Sequence, residues 1–194
     1  MSDNVSPPES ARKFWVDPET LPDTASSEAV SKIRGNVPEL VKRQCLNTFA
    51  AYGVGDDDSF ASNVGKKVWF SSLDIREKGK GREATSIAEV VVDKSMANGN
   101  GMLHGGCMTY LIDNCCSTPL VILGLITKRN GVGVTQSMNV LFHSPAPIGM
   151  HLLFTSTALS LGKQTMTARC EVTDKESGRL VASAFLSKMQ PSRL

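Results

Sequence analysis

The chain has 194 residues, with 21 Lys+Arg against 19 Asp+Glu for a formal charge of +2. That length holds one full core and an appendage but is short for two domains. So small a charge excludes the broad cationic footprint of a nucleic-acid binder and leaves a small molecule or a protein as partner.

Residues 1–27 are rich in Pro, Ser and acids and are expected to form a flexible arm, disordered or loosely draped on the domain. They lack the continuous apolar core of a secretory signal. Asp3, Glu9, Asp17 and Glu19 are acids a mitochondrial presequence would avoid, so a cytoplasmic location is expected, with a mitochondrial one as the alternative. Phe14 and Trp15 are the arm's apolar handles. Residues 28–55 read as a helical extension: Ser27 caps a short turn ended near Gly35, and a second helix starts at Pro38 and closes at Gly53. "VGDDDSFASNVG" then reads as a linker.

Two strands follow around the turn Lys78-Gly79-Lys80-Gly81. His104 to about Thr127 is a long apolar helix, too short and too broken by Pro119 to span a bilayer comfortably. Three more runs, Val132 to Phe142, His151 to Leu161 and Gln164 to Thr173, read as strands, and Leu180 to Met189 as the last. The sum is an α+β domain in which a mostly antiparallel sheet wraps one buried helix. Cys45, Cys107, Cys115, Cys116 and Cys170 form no Cys-x-x-Cys pair. They read as small buried hydrophobes in a reducing, intracellular compartment. His143 and His151 have no partner at ligand spacing, so no metal site is expected.

The long helix carries one carboxylate, Asp113, on a stripe of small and polar residues with Gly106, Thr109 and Ser117. A lone acid there reads either as a satisfied core or interface group or as a reacting one. Gly105 and Gly106 stand at the helix start, where free N–H groups and the positive dipole end favour developing negative charge. Asn98 in the preceding loop offers an amide donor, and Thr135 offers a hydroxyl on a strand face shared with Ser137 and Asn139. Such a set suits acyl transfer from an activated ester. Each oxyanion donor is worth about 2.7 to 4 kcal/mol, and the carboxylate directs water or attacks directly. Gly105 and Asp113, however, lie about 12 Å apart along one helix, too far to act on one carbonyl. If they cooperate, Asp113 comes from a second subunit across a two-fold axis, so the acid predicts a dimer.

The stretches "NGNGMLHGGCMTYLIDN", from Asn98, and "GVTQSMNVLFHSPAPIG", from Gly133, resemble the hotdog-fold acyl-CoA thioesterases, in the small thioesterase-superfamily branch that includes the phenylacetate-pathway enzymes. The resemblance covers about residues 60–190. It implies a hotdog fold and a homo-oligomer, a dimer or dimer of dimers, acting on an acyl-CoA without a cofactor. By the same resemblance Asn98 and the Gly105 amide hold the thioester carbonyl, and the partner's Asp113 is base or nucleophile. Thr135 stands where the family has a serine. His104 orients the loop, and Gly106 and Ser137 complete the substrate-binding set. Pro119 departs from the pattern and implies a kink beyond the site. One or two of Lys128, Arg129, Lys163 and Arg179 would meet coenzyme A phosphates. Met108, Leu111, Ile112, Leu120, Val121 and Ile122 read equally as core or as acyl channel. Two other functions fit the same fold: an acyl-thioester dehydratase or hydratase, which would want a His paired with an acid, and a non-catalytic module binding acyl-CoA or a protein.

Overall fold

The structure, a computed structural model, describes residues 16–79 and 81–190. Phe14 and Trp15 lie outside the described residues. The chain forms α1 (Ser27–Ser31), α2 (Glu39–Thr48), α3 (Ser62–Gly65), β1 (Trp69–Lys78), β2 (Gly81–Val91), α4 (Gly105–Thr127), β3 (Val134–Phe142), β4 (His151–Leu161), β5 (Thr165–Asp174) and β6 (Leu180–Met189). The strands make one antiparallel sheet of order β1-β2-β4-β5-β6-β3.

α4 lies in the concave side of this sheet, chiefly against β4, β2 and β5. Leu111, Ile112, Cys115, Leu120 and Ile122 are fully buried there, facing Leu152, Phe154, Met166 and Leu186. Each such aliphatic side chain contributes about 1.5–3 kcal/mol over its exposed state. The helix runs through Pro119 without interruption. At 23 residues it is long and apolar enough to cross a membrane by length and composition, contrary to the expectation that it is too short; the sheet around it makes it a core helix.

The two edges of the sheet are treated differently. Along β1 the extension lays a strap: Arg34 N–H donates to Ser71 O at 3.0 Å and Arg34 O accepts from Leu73 N–H at 3.1 Å. Asn36 exchanges two 2.8 Å side-chain bonds with the backbone of Ile75. Gly35 makes the approach possible, because at φ +94° a Cβ there would sit 2.1 Å from Leu73 O. β3, at the other edge, pairs only with β6 among the described residues. Its Leu141 and Phe142 are each 57% exposed. A nine-residue edge with uncovered apolar side chains is a template for a further chain.

The extension departs from its sequence reading in several places. Ser26, rather than Ser27, caps α1 by accepting from Ala29 N–H at 3.1 Å. Pro38 occupies the cap position of α2, and the helix continues past Thr48 as a π-helical turn, Phe49–Val54, before ending at Gly55 with φ +71°. The helix therefore does not close at Gly53. The linker contains α3. Residues 16–27 are tied down rather than loosely draped: Val16 is buried, Asn47 Oδ1 accepts from the N–H groups of Thr24 and Ala25 at 3.0 and 2.9 Å, and Arg43 donates to Ala25 O at 2.6 Å.

Candidate active site

α4 begins at His104, which caps it by accepting the Gly106 N–H on Nδ1 at 2.9 Å. Gly106 thus spends its amide on the cap, and the Gly105 N–H has no acceptor among the described residues. Asn98 Oδ1 accepts from the N–H groups of Asn100 and Met102 at 2.9 and 3.2 Å, folding the loop into a turn. Its amide Nδ2 keeps its donors. Asn98 and Gly105 line one cavity of ≈ 480 Å³ with Phe142 and His143. Among the residues that line that cavity there is no carboxylate.

Asp113 opens on a second cavity of ≈ 260 Å³, which it lines with Thr135, Ser117 and Lys188. Thr135 donates its hydroxyl to Asp113 Oδ1 at 2.6 Å. Ser117 donates to the Asp113 carbonyl at 2.6 Å and accepts from Lys188 Nζ at 2.7 Å. Burial pushes the Lys188 ammonium below its ordinary 10.5, against the attraction of Asp113.

The expected shared face of Thr135, Ser137 and Asn139 does not form. A β-bulge falls between Thr135, opposite Lys188, and Ser137, opposite Ser187. One extra residue, Gln136, reverses the alternation. Thr135 therefore faces α4 with Lys188, while Ser137 and Asn139 lie on the outer face with Ser187 and Phe185. Within the protomer Ser137 is turned away from Asp113.

The second cavity also has a wall that sequence reading did not assign. Cys45, Thr48, Phe49, Tyr52 and Gly53, all from the extension, line it opposite Asp113. Tyr110 on α4 pins this wall by donating to Gly53 O at 2.5 Å, and Phe49 packs edge-on against Phe70, with ring centroids 5.1 Å apart. Gly53 fits the gap because a Cβ there would press within 3.3 Å of the Phe49 ring and Asn114 Oδ1. Burial pushes the Cys45 thiol far above its ordinary value, so it is an inert wall and not a thiolate nucleophile. Lys188 escaped notice as well, although its phase was readable. It falls in step with the inward residues Ala182, Ala184 and Leu186.

The remaining sequence-selected histidines and basic residues do not line the Asp113 cavity. His143 Nε2 is 2.8 Å from Ser183 Oγ, and His151 Nε2 is 2.8 Å from Glu89 Oε2 on the far side of the sheet. Lys128 pairs with Glu19 at 3.2 Å. Arg179 donates to Pro145 O, on the rim of the Gly105 cavity, at 3.1 Å.

The thioesterase superfamily model matches residues 100–181, a segment that holds Gly105, Asp113 and Thr135 but neither Lys188 nor the extension wall. Human acyl-coenzyme A thioesterase 13 is 34% identical over 102 residues, 53% of this chain and 70% of the relative. Among solved structures, zebrafish thioesterase superfamily member 2 aligns with a TM-score of 0.58 at 25% identity over 74% of this chain and 93% of that one. The mouse member 2 aligns with a TM-score of 0.54 at 27% identity over 66% and 86%. With a long helix wrapped by an antiparallel sheet and these relatives in sequence and structure, the chain belongs to the thioesterase superfamily and has its hotdog fold.

Proposed function

We propose that the protein hydrolyses acyl-CoA thioesters as a homodimer, each active site being assembled from two protomers. The observation that carries this reading is the placement of the two half-sites at opposite ends of the uncovered strand β3. Thr135, bonded to Asp113, lies at its start. Phe142, lining the Gly105 cavity, lies at its end. If β3 pairs antiparallel with its copy about a two-fold axis, the start of one strand faces the end of the other. Each Asp113 then faces the partner's helix start, which resolves the gap of about 12 Å within one helix. The covered β1 edge leaves β3 as the open one.

In this assembly the thioester carbonyl accepts hydrogen bonds from the Gly105 N–H and the Asn98 amide of one protomer. The N-terminal end of α4 adds its positive dipole. Asp113 of the other protomer takes a proton from water as the water oxygen attacks the carbonyl carbon, and the carbonyl electrons move to the oxygen held by the two donors. When the oxyanion collapses, the carbon–sulfur bond breaks, and the proton held by Asp113 passes to the departing thiolate. Carboxylic acid and free coenzyme A result. Thr135 fixes the rotamer of Asp113 through Oδ1, leaving Oδ2 for the water, and its oxygen can accept from that water. Arg179, at the rim of the Gly105 cavity, is positioned for a coenzyme A phosphate.

The test is release of free thiol from a panel of short, aromatic and long acyl-CoAs, comparing the wild type with Asp113→Ala. Turnover lost in the variant while its fold and melting temperature persist supports hydrolysis. Binding of acyl-CoA by the wild type without thiol release would replace the enzyme by a binding module.

A further inference from the structure

Lys188 takes no part in the hydrolysis described above, yet it stands in the same cavity as Asp113. Its ammonium has three donors. One goes to Ser117 at 2.7 Å, and the other two have no acceptor among the described residues. Ser117 in turn spends its proton on the Asp113 carbonyl, so lysine and serine hold each other in place on the cavity wall. A half-buried ammonium with unspent donors is costly unless the cavity's occupant accepts from it.

Position says what that occupant must be. Ser117 lies one turn beyond Asp113, about 6 Å along α4 at 1.5 Å per residue. One further turn on, Val121 and Gly131 line the cavity. Gly131 presses so closely that a Cβ there would sit 2.1 Å from Leu120 O. Phe49 and Tyr52 of the extension close the side. A thioester poised at Asp113 therefore sends a short acyl chain past Lys188 and meets a wall soon after.

We infer that Lys188 is a specificity residue, its ammonium binding an oxygen acceptor, carboxylate or hydroxyl, at the far end of a short acyl group. The inference rests on the hydrolase reading and names the substrate class for that site. Asp113, one turn back along α4, repels a terminal carboxylate, but without the direct hydrogen bond that Lys188 makes to it. The ammonium therefore decides the sign. A plain alkyl chain of the same length leaves both donors unspent.

The experiment compares kcat/KM of the full chain for succinyl-CoA, γ-hydroxybutyryl-CoA and butyryl-CoA, and for glutaryl-CoA against valeryl-CoA. The wild type should favour the oxygen-ended member of each pair by roughly tenfold or more, the worth of one charge-assisted hydrogen bond. Preference for succinyl over γ-hydroxybutyryl identifies the carboxylate as the group bound; the reverse order identifies the neutral hydroxyl. Lys188→Met should bring the ratios towards one, and Lys188→Arg should keep their sign. Because the wild-type ratios stand alone, a variant that fails to fold does not rescue the inference. Equal rates, or faster turnover of the alkyl members, overturn it while leaving the hydrolase reading intact. No turnover of any of these five, with hydrolysis of aromatic or long acyl-CoAs, overturns the inference alone; no turnover across the whole panel overturns both.

Discussion

Thr135, on the open edge strand, donates its hydroxyl to Asp113 Oδ1 at 2.6 Å across a bulge that turns it inward. This bond ties the acid to the strand on which the proposed dimer forms. Asp113→Asn should lower kcat by about 10²–10⁴, the usual range for a lost general base. Thr135→Ser should retain most activity and Thr135→Val should lose it, with melting temperatures unchanged within a few degrees. Activity of the valine variant equal to or above that of the serine variant would show that the hydroxyl is not what matters at this position.

The extension forms one wall of the Asp113 cavity through Phe49, whose ring packs on Phe70. Phe49→Ala should widen the cavity and move the acyl preference towards longer or bulkier groups. It should also destabilise the fold by about 2–3 kcal/mol, below the full cost of a core Phe→Ala change because the ring is only half buried. Chain-length profiles of kcat/KM and a denaturant titration check the two parts separately. A lengthened profile is the expected result.

Leu141 projects from the outer face of β3 and is 57% exposed in the protomer. Leu141→Asp should therefore change protomer stability by less than about 0.5 kcal/mol. If β3 is the dimer seam, the same change should raise the dimer dissociation constant and lower activity at dilute enzyme. Sedimentation velocity across a concentration series, run beside the thiol-release assay, reads both.

Asp93 receives Lys67 and Ser95, which hold its carboxyl down at about 2 from 3.8. Its folded value is depressed, so its contribution is present above 3.8 and is lost as pH falls towards about 2. Both charges are more than a third exposed, at 38% and 41%, so solvent screening limits the effect to about 1 kcal/mol at neutral pH. Asp93→Asn should show that loss at pH 7 in chemical denaturation. The gap to the wild type should close in strong acid.

The strands and the long helix were legible because they rest on local signals: alternation, glycine turns and one long apolar run; that His104 caps the helix rather than opening it was not read. β4 and β6 fall on their expected bounds. The residues that shape the cavity were not legible, and the reasons differ. The bulge at Gln136 depends on pairing with β6, which simple alternation cannot show, so Ser137 was placed on the wrong face. The π-helical turn at Phe49–Val54 forms where Tyr110, 57 positions away from Gly53, grips the chain. The strap on β1 depends on the same kind of distant contact. Lys188 alone gave a signal within its own segment, a charge in the inward phase of an apolar strand.

The central claim is that each active site takes its donors from one protomer and its acid from the other. Mixing Asp113→Ala with Asn98→Ala, each inactive alone, under conditions that exchange subunits tests it most directly. In a mixed dimer one site would hold an intact Asn98 opposite an intact Asp113. Random exchange of equal amounts should then restore about a quarter of wild-type sites, and thiol release should rise to match. Mixtures that exchange subunits, shown by co-purification of two differently tagged chains, yet stay as inactive as the single variants would contradict the shared site.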